Sequence, residues 1–185
     1  MNVIHFLSEY IKHPRTVGAV FASSKKLAKQ MVSPINFEQA NCIIEYGPGT
    51  GVFTEQLIQH KHNETVLLII ENNIQFYRIL RDKYSNIKNV YIIHDSAEYI
   101  EKYVKQYGIS QVDYIISGLP FTSLSMDTSK KILQVTKEVL GEKGKFITFQ
   151  YTRLKQQFFR SFFSNIEVKK TNWNIPPAFV FTCFM

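Results

Sequence analysis

The sequence has 185 residues, of which 45% are hydrophobic, so it is long enough for one domain with its own core. Lys and Arg number 22 against 15 for Asp and Glu, and the net charge of +7 favours an anionic partner such as a nucleic acid or an acidic lipid surface. No apolar run approaches the ~20 residues of a membrane-spanning helix. Polar residues interrupt every apolar stretch near the N-terminus, which excludes a signal peptide.

The two cysteines, Cys42 and Cys183, stand far apart in the sequence, each within a predicted strand. The sequence contains neither a CxxC pair nor a cluster of Cys and His. We therefore predict two buried thiols in a reducing compartment and no metal site. These features favour a cytoplasmic location.

The N-terminal segment 2–12 has the periodicity of an amphipathic helix, with its apolar side chains on one face. The residues that follow, through Ala22, are predicted to form a loop. Either Ser23 or Ser24 is then expected to cap a second helix, Lys25–Val32.

From residue 41 onward the pattern alternates between short apolar strands and amphipathic helices. Strands are predicted over Asn41–Tyr46, Val66–Ile70, Val90–Ile93, Val112–Ser117, Lys145–Tyr151, Ile166–Lys170 and Ala178–Phe184. Helices are predicted over Val52–Gln59, Ile74–Tyr84, Ala97–Gln106, Ser129–Leu140 and Lys155–Phe163. This alternation predicts a single α/β domain over residues 1–185, with a mostly parallel sheet and an antiparallel last strand.

The turn after the first strand, Glu45–Gly51, has the spacing ExGxGxG, with Thr50 before the last glycine. Glycines at Gly47, Gly49 and Gly51 let the backbone turn sharply and approach a ligand closely, and the next helix offers free N–H groups. A nicotinamide-binding turn would have the spacing GxGxxG instead. An acid beside the glycines suits a ligand that is cationic and carries no phosphate.

Acidic residues also end the next two strands. They are followed by small or polar residues, in the runs Glu71-Asn72 and Asp95-Ser96-Ala97. The carboxyl ends of parallel strands meet at one edge of a sheet, where open α/β sheets bind ligands, and an acid after the second strand can accept hydrogen bonds from both ribose hydroxyls. The alternative is a structural glycine turn beside two solvated acids.

These motifs resemble those of the class I S-adenosylmethionine-dependent methyltransferases, whose Rossmann-like sheet has seven strands with an antiparallel seventh. The resemblance implies that S-adenosylmethionine binds at the Glu45–Gly51 turn, at Glu71 with Asn72, and at Asp95–Ala97, where that family contacts the adenine amino group. The helices within residues 1–33 would cover the cofactor and substrate site.

After the fourth strand, the segment Ser117–Phe121 (SGLPF) resembles the NPPY motif of amino-methyltransferases. In those enzymes the polar residue and a carbonyl hold the target amine, and the aromatic residue stacks on it. The resemblance implies that Ser117 lies beside both cofactor and acceptor. It also implies that Phe121 offers a π face to the developing ammonium. The alternative is a rigid loop without a chemical role.

Three further segments extend the resemblance to the bacterial phospholipid N-methyltransferases: His13–Val20 with Ser23 and Ser24, Gln150–Thr152, and Asn174–Ala178. This resemblance implies a phosphatidylethanolamine-like head-group amine as methyl acceptor. The basic amphipathic helix over 2–12 would then hold the protein on the inner face of the membrane, peripherally, through anionic lipids. Alternatively, this helix packs on the sheet.

An ammonium must lose its proton before it attacks, because its ordinary pKa resembles that of Lys at about 10.4. Residues predicted near the strand ends that could assist are Tyr151, His94 and Glu98. We favour Tyr151, as a hydrogen-bond acceptor and as an aromatic face for the methylated cation.

Two other functions fit parts of the pattern. The first is N6-methylation of adenine in rRNA or DNA, which the positive charge supports. Ser117 stands where Asn would hold the base, and the predicted strands leave no segment for the helical domain that rRNA adenine dimethylases append, so a nucleic acid is the less favoured partner. The second is a protein that binds S-adenosylmethionine without turnover.

Overall fold

The computed structural model describes residues 17–153, 155–171 and 177–185, with side chains from Lys25 onward. The predicted helix over 2–12 lies outside these residues, as does most of the Asn174–Ala178 segment. Within the described residues the helices are α1 (Val17–Val32), α2 (Val52–His60), α3 (Ile74–Tyr84), α4 (Ile100–Gln106), α5 (Met126–Leu140) and α6 (Gln156–Arg160). None of these helices combines the length and apolar character needed to cross a bilayer.

The described strands form one seven-stranded sheet in the order β3-β2-β1-β4-β5-β7-β6. The strands are β1 (Cys42–Tyr46), β2 (Val66–Ile70), β3 (Val90–Ile93), β4 (Tyr114–Ser117), β5 (Lys145–Gln150), β6 (Asn165–Thr171) and β7 (Ala178–Phe184). Strands β1 to β5 pair in parallel, and β7 lies antiparallel between β5 and β6. The predicted fold, a Rossmann-like methyltransferase sheet with an antiparallel last strand, is confirmed.

The chain reverses its direction of travel across the sheet between β1 and β4, which are neighbours although two strands separate them in sequence. Their registers place Tyr46 opposite Ser117 and also opposite Ile70 of β2. A crevice opens at such a switch point beyond the carboxyl ends of the strands. The two loops predicted to bind cofactor and acceptor therefore start side by side.

Each face of the sheet is covered by helices that bury an apolar core. Helices α1, α2 and α3 cover one face, and α4, α5 and α6 cover the other. The core beneath α4, α5 and α6 contains an aromatic cluster. In it the ring centroids of Phe146 and Phe159 lie 6.3 Å apart, and those of Phe181 and Phe159 lie 5.5 Å apart. All three rings are fully buried.

The predicted start of the second helix was wrong. Helix α1 begins at Val17, so Ser23 and Ser24 lie inside it and neither caps it. No proline interrupts this segment, and a serine inside a helix costs only a few tenths of a kcal/mol to about 0.5 kcal/mol relative to Ala. The packing of α1 against α2, β5 and β7 therefore extends the helix through residues that local preference assigned to a loop.

Two other boundaries shifted because side chains cap the helices. Ser96 accepts a hydrogen bond from the Glu98 N–H, so the segment predicted as one helix begins with a 3₁₀ turn, Ala97–Tyr99. Ser125 accepts one from the Thr128 N–H, and α5 begins at Met126, earlier than predicted. Both cysteines are buried and free, as predicted, and burial raises the pKa of each thiol to about 12.

The neighbouring residues Phe158 and Phe159 test the aromatic cluster. We expect Phe159→Ala to lower the free energy of unfolding by about 3–5 kcal/mol, because it leaves a cavity beneath α6. Phe158→Ala, which removes the same group from a half-buried position, is expected to cost about 1 kcal/mol. Urea denaturation of both variants measures the difference, and equal losses would contradict the packing described.

Candidate active site

The turn from β1 to α2 is built from glycines that adopt positive φ angles: +60° at Gly47, +57° at Gly49 and +86° at Gly51. The Gly47 N–H donates to the Ile70 carbonyl across 2.9 Å, which ties the turn to the end of β2. The Gly51 N–H donates to the Pro48 carbonyl across 3.0 Å. Thr50, between Gly49 and Gly51, is exposed.

Two of the loops touch through glycines that leave no room for a side chain. A Cβ atom at Gly118 would lie 2.6 Å from the Gly47 carbonyl oxygen, and one at Gly47 would lie 2.7 Å from the Leu119 side chain. A Cβ at Gly49, in contrast, would meet nothing within 4 Å. Gly47 and Gly118 therefore serve loop packing, whereas Gly49 presents bare backbone to open space, where a ligand can approach.

Glu71, at the end of β2, is joined directly to the glycine turn. Its Oε2 accepts a hydrogen bond from the Gly49 N–H at 3.1 Å, and its Oε1 accepts one from the Asn73 N–H at 2.8 Å. Burial raises the pKa of this carboxyl above its usual range, although these backbone hydrogen bonds oppose the shift. Asn72 is exposed, and its carbonyl accepts a hydrogen bond from His94 Nε2 at 3.1 Å, which links the ends of β2 and β3.

Asp95 ends β3 within a local hydrogen-bond network. Its Oδ2 accepts from the Tyr103 hydroxyl at 2.5 Å and its Oδ1 from the Ser96 N–H at 2.7 Å. The Tyr103 hydrogen bond is the main cause that holds the pKa of Asp95 below its usual range. Ser96 is half-buried and Ala97 is buried. Each carboxylate oxygen keeps a lone pair for a ligand donor.

Glu45 is the one carboxylate in the buried strand β1, and none of it is exposed. The Thr54 hydroxyl donates to its Oε2 at 2.7 Å, while its Oε1 has no hydrogen-bond partner. Burial is the largest cause that raises the pKa of Glu45 to about 8, and the nearby Glu71 carboxyl adds to the shift. An unpartnered buried carboxylate oxygen is costly unless a donor or a cation approaches it.

Ser117 is fully buried at the end of β4. Its hydroxyl accepts a hydrogen bond from the Leu119 N–H at 3.2 Å, and its carbonyl accepts one from the Thr148 hydroxyl at 3.2 Å. The side chain thus holds the loop after β4 in shape. The structure places Ser117 beside the glycine turn, as the sequence suggested, but its hydroxyl is used within the loop.

Phe121 departs from the expectation that it offers its ring to an amine. The ring is fully buried and makes edge-to-face contacts with Phe146, at 6.1 Å, and with Phe159, at 5.5 Å. The Pro120 carbonyl accepts hydrogen bonds from the Ser123 and Leu124 N–H groups, a turn that directs the ring into the core. Phe121 therefore has a packing role in this structure.

Tyr151 follows β5 at the same edge of the sheet and is 48% exposed. Its ring packs edge-on against Phe149 at 5.6 Å. His94 stacks on Tyr77 at 5.1 Å and donates to Asn72, so its imidazole is engaged in the scaffold. Glu98 accepts a hydrogen bond from the Ser96 hydroxyl. Of the three candidate bases, Tyr151 is the one that follows β5, the strand next to β4, and its side chain is exposed.

Two residues that support this edge, Asn73 and Thr54, were missed in the sequence, and Gln150 was noted only as part of a motif. Asn73 caps α3 by accepting from the Gln75 and Phe76 N–H groups, a role that its position before the helix could have indicated. Thr54 could not have been linked to Glu45 by any local pattern. Gln150, 3% exposed at the end of β5, has a side-chain N–H₂ group without a partner.

The strand order, the glycine turn and the acids at the ends of β2 and β3 are those of a class I methyltransferase. The chain belongs to the ribosomal RNA adenine dimethylase family, whose model matches residues 12–162. It is an S-adenosylmethionine-dependent methyltransferase, and the predicted class of enzyme and its cofactor are confirmed.

Curated relatives differ in how much of their length they share with this chain. An ornithine lipid N-methyltransferase from Singulisphaera acidiphila is 29% identical over 96% of this chain and 93% of its own length. A ribosomal RNA small subunit methyltransferase A from Sulfurihydrogenibium sp. is 32% identical over 45% of this chain, but the match spans only 31% of that relative.

Among solved structures, precorrin-6y C5,15-methyltransferase from Geobacter metallireducens superposes with a TM-score of 0.66. The superposition covers 86% of this chain and 87% of that one, at 13% identity. This likeness shows the fold alone. It agrees with the seven-stranded sheet described above.

We expect Glu71→Gln to weaken S-adenosylmethionine binding at least about tenfold, because one hydrogen bond to a charged group contributes ~1.5–3 kcal/mol. Glu64, which lies exposed before the other end of β2, provides the matched control as Glu64→Gln. Isothermal titration calorimetry measures both affinities. Unchanged binding by the Glu71 variant would contradict the assignment of this carboxylate to the cofactor.

The raised pKa of Glu45 predicts how stability without cofactor varies with pH. The folded protein holds a proton on Glu45 up to about pH 8, whereas the unfolded chain releases it near 4.5. The free energy of unfolding should therefore fall as pH rises across this window, by up to about 1.4 kcal/mol per pH unit.

Glu45→Gln, which stays neutral, should flatten this profile, and Glu142→Gln, at an exposed position, should leave it unchanged. Urea denaturation at several pH values between 5 and 8 measures the three profiles. Parallel profiles for wild type and the Glu45 variant would show that this carboxyl does not control the dependence.

Proposed function

We propose that this methyltransferase transfers a methyl group to the amine nitrogen of a lipid head group of the phosphatidylethanolamine type, at a membrane surface. The main support for this proposal is the way in which the side chains of the loop after β4 are packed and hydrogen-bonded. Phe121 is buried and the Ser117 hydroxyl is engaged by the Leu119 N–H, so the loop offers neither an aromatic face nor a side-chain amide to a planar base. A tetrahedral amine needs neither group.

The similarity to the lipid enzyme supports the same acceptor class. That relative is named as an ornithine lipid N-methyltransferase, and the match extends over nearly the whole of both chains. Two ribosomal RNA small subunit methyltransferase A relatives match 45% and 71% of this chain, but only 31% and 44% of their own length.

The described residues fit S-adenosylmethionine, which when bound supplies a methyl group on a sulfonium cation. Glu45 Oε1 lacks a partner, and its carboxylate suits a positively charged ligand. Gly49 presents open backbone, and Glu71 keeps acceptor capacity for ribose hydroxyls. We assign Asp95 and its Ser96-Ala97 neighbours to the adenine end.

Tyr151 would help to remove the proton from the acceptor amine. An ammonium with an ordinary pKa of about 10.4 must release a proton to expose its lone pair. Tyr151 is 48% exposed, and its hydroxyl could accept the ammonium proton while its own proton leaves to water; the ring offers a π face to the methylated product. Alignment of the nitrogen with the methyl group supplies most of the remaining rate.

Adenine N6 in RNA is the second candidate, because the family model is named for rRNA adenine dimethylation and the net charge is +7. The positive charge would favour a phosphate backbone. The buried Phe121 ring argues against a flipped base at this loop, since stacking on an aromatic side chain is how such a base is usually held.

We further propose a cytoplasmic location on the inner face of the membrane. The basic residues Lys25, Lys26 and Lys29 are exposed on α1, the helix that follows the amphipathic segment 2–12. Each cation near an anionic surface adds about 1 kcal/mol of attraction.

An assay with methyl-labelled S-adenosylmethionine tests the proposal. The acceptors are vesicles with phosphatidylethanolamine, vesicles with ornithine lipid, vesicles without either amine, and ribosomal RNA. We expect label in the organic phase with an amine lipid, and the two lipids separate a phosphodiester from a carboxylate head group. Label in RNA alone would overturn the proposal in favour of the second candidate.

A variant of Tyr151 tests the acceptor site, and the same substitution at Tyr107 is its control. Tyr151→Ala is expected to lower kcat for the lipid at least about tenfold, a typical lower range for the loss of an acid–base group. Tyr107→Ala removes an exposed tyrosine near the amino end of β3 and should leave kcat unchanged. Pelleting of the protein with the same vesicles, compared with neutral vesicles, tests the membrane location.

A further inference from the structure

A groove of about 210 Å³ opens between helix α1 and the end of β6, and it is lined by Lys26, Lys29, Gln30 and Thr171. Lys26 and Lys29 contribute two ammonium groups. The other two lining residues contribute an amide and a hydroxyl. Ammonium, amide and hydroxyl groups can all donate hydrogen bonds to an oxyanion, so these described lining residues are suited to an anion.

One buried polar group in this groove lacks a protein partner. The Gln30 side-chain oxygen is buried and accepts no hydrogen bond. Thr171, the last residue of β6, is 1% exposed. A side-chain amide presents either its oxygen or its N–H₂ group after a half-turn, so Gln30 can donate to a ligand oxygen. A buried polar group without a protein partner is rare, and this amide is placed to bond a ligand in the groove.

The groove lies at the same edge of the sheet as the candidate active site. Strands β5 and β6 are both antiparallel to β7, so they run in the same direction, and Thr171 ends β6 at the edge where Tyr151 follows β5. One strand separates them, which places the two strand ends about 10 Å apart. Helix α1 packs on β5 and β7, and its Lys26 and Lys29 line the groove together with Thr171.

We propose that this groove binds the anionic group of the lipid acceptor, an oxyanion such as a phosphodiester or a carboxylate, while the head-group amine lies near Tyr151. This inference rests on the proposed function. A zwitterionic head group carries its two charges a few bonds apart. Two ammonium groups on one side and an aromatic face on the other would fix its orientation, with the nitrogen towards the cofactor.

The double variant Lys26→Gln/Lys29→Gln tests the groove, and Lys25→Gln is its control. Lys25 is exposed on the same helix, and its variant loses one positive charge where the double variant loses two, but Lys25 does not line the groove. The acceptor is dispersed in neutral detergent micelles, which removes the general attraction to a charged surface. We expect the KM for the lipid to rise about tenfold in the double variant, with kcat and S-adenosylmethionine affinity within twofold of wild type.

A long-chain alkylamine without an anionic group separates the possible sources of the effect. Its KM should be equal for wild type and the double variant, because it has nothing to place in the groove. An equal rise for both acceptors would overturn the proposal, and so would a KM for the phospholipid equal to that of Lys25→Gln. The conservative variant Lys26→Arg/Lys29→Arg should keep the wild-type KM.

Binding of inorganic phosphate gives a readout that needs no methyl transfer. Phosphate should compete with the lipid in wild type, and its binding, followed by NMR, should be lost in the double variant at an unchanged melting temperature. If wild type methylates no lipid, the proposed function fails, and phosphate binding still decides the groove: loss in the double variant supports an oxyanion site, and no binding to wild type overturns it.

Discussion

The close approach of the loops after β1 and β4 is the constraint on which the candidate site depends. The Gly118 N–H donates to the Tyr46 carbonyl at 2.8 Å, and the Gly47 carbonyl occupies the space in which any side chain at 118 would begin. The cofactor turn and the acceptor loop therefore form one unit and cannot shift separately. Methyl transfer depends on alignment more than on acid–base chemistry, so this rigidity has a direct functional consequence.

Electrostatics adds a second constraint at the same edge. Glu45 and Glu71 are both buried, and burial raises the pKa of each carboxyl; the Glu71 carboxyl raises the pKa of Glu45 further. Thr54 and the backbone N–H groups of Gly49 and Asn73 offset only part of the cost of ionising these two carboxyls. A cation bound among these carboxylates would offset more of that cost.

Much of the fold could be predicted from the sequence, because its strands and helices have strong local signals. The bounds of β2, β3, β7 and α3 agree with the predictions residue for residue. The start of α1 was mispredicted because serines that favour a cap locally were overridden by packing of the helix on α2 and the sheet. Local preference decides where an element lies only when tertiary contacts do not oppose it.

The same reasoning explains which parts of the site could be predicted. The link between Gly49 and Glu71 follows from strand order, because adjacent parallel strands bring their carboxyl ends together. The burial of Phe121 does not follow from its motif, since it depends on Phe146 and Phe159, which come from later elements. The groove between α1 and β6 joins residues from opposite ends of the chain, and no spacing rule connects them.

The acceptor is therefore decided by a small part of the molecule. The sheet, the glycine turn and the acids are common to methyltransferases that act on very different substrates, so they define the reaction but not its acceptor. In this chain the loop after β4 packs its aromatic ring inward, Tyr151 is exposed, and a groove lined by two lysines lies one strand beyond Tyr151. Because Phe121 packs into the core, the loop after β4 itself has no aromatic face for a flat base. A head group with an amine and an anion a few bonds apart matches the charges that the edge presents.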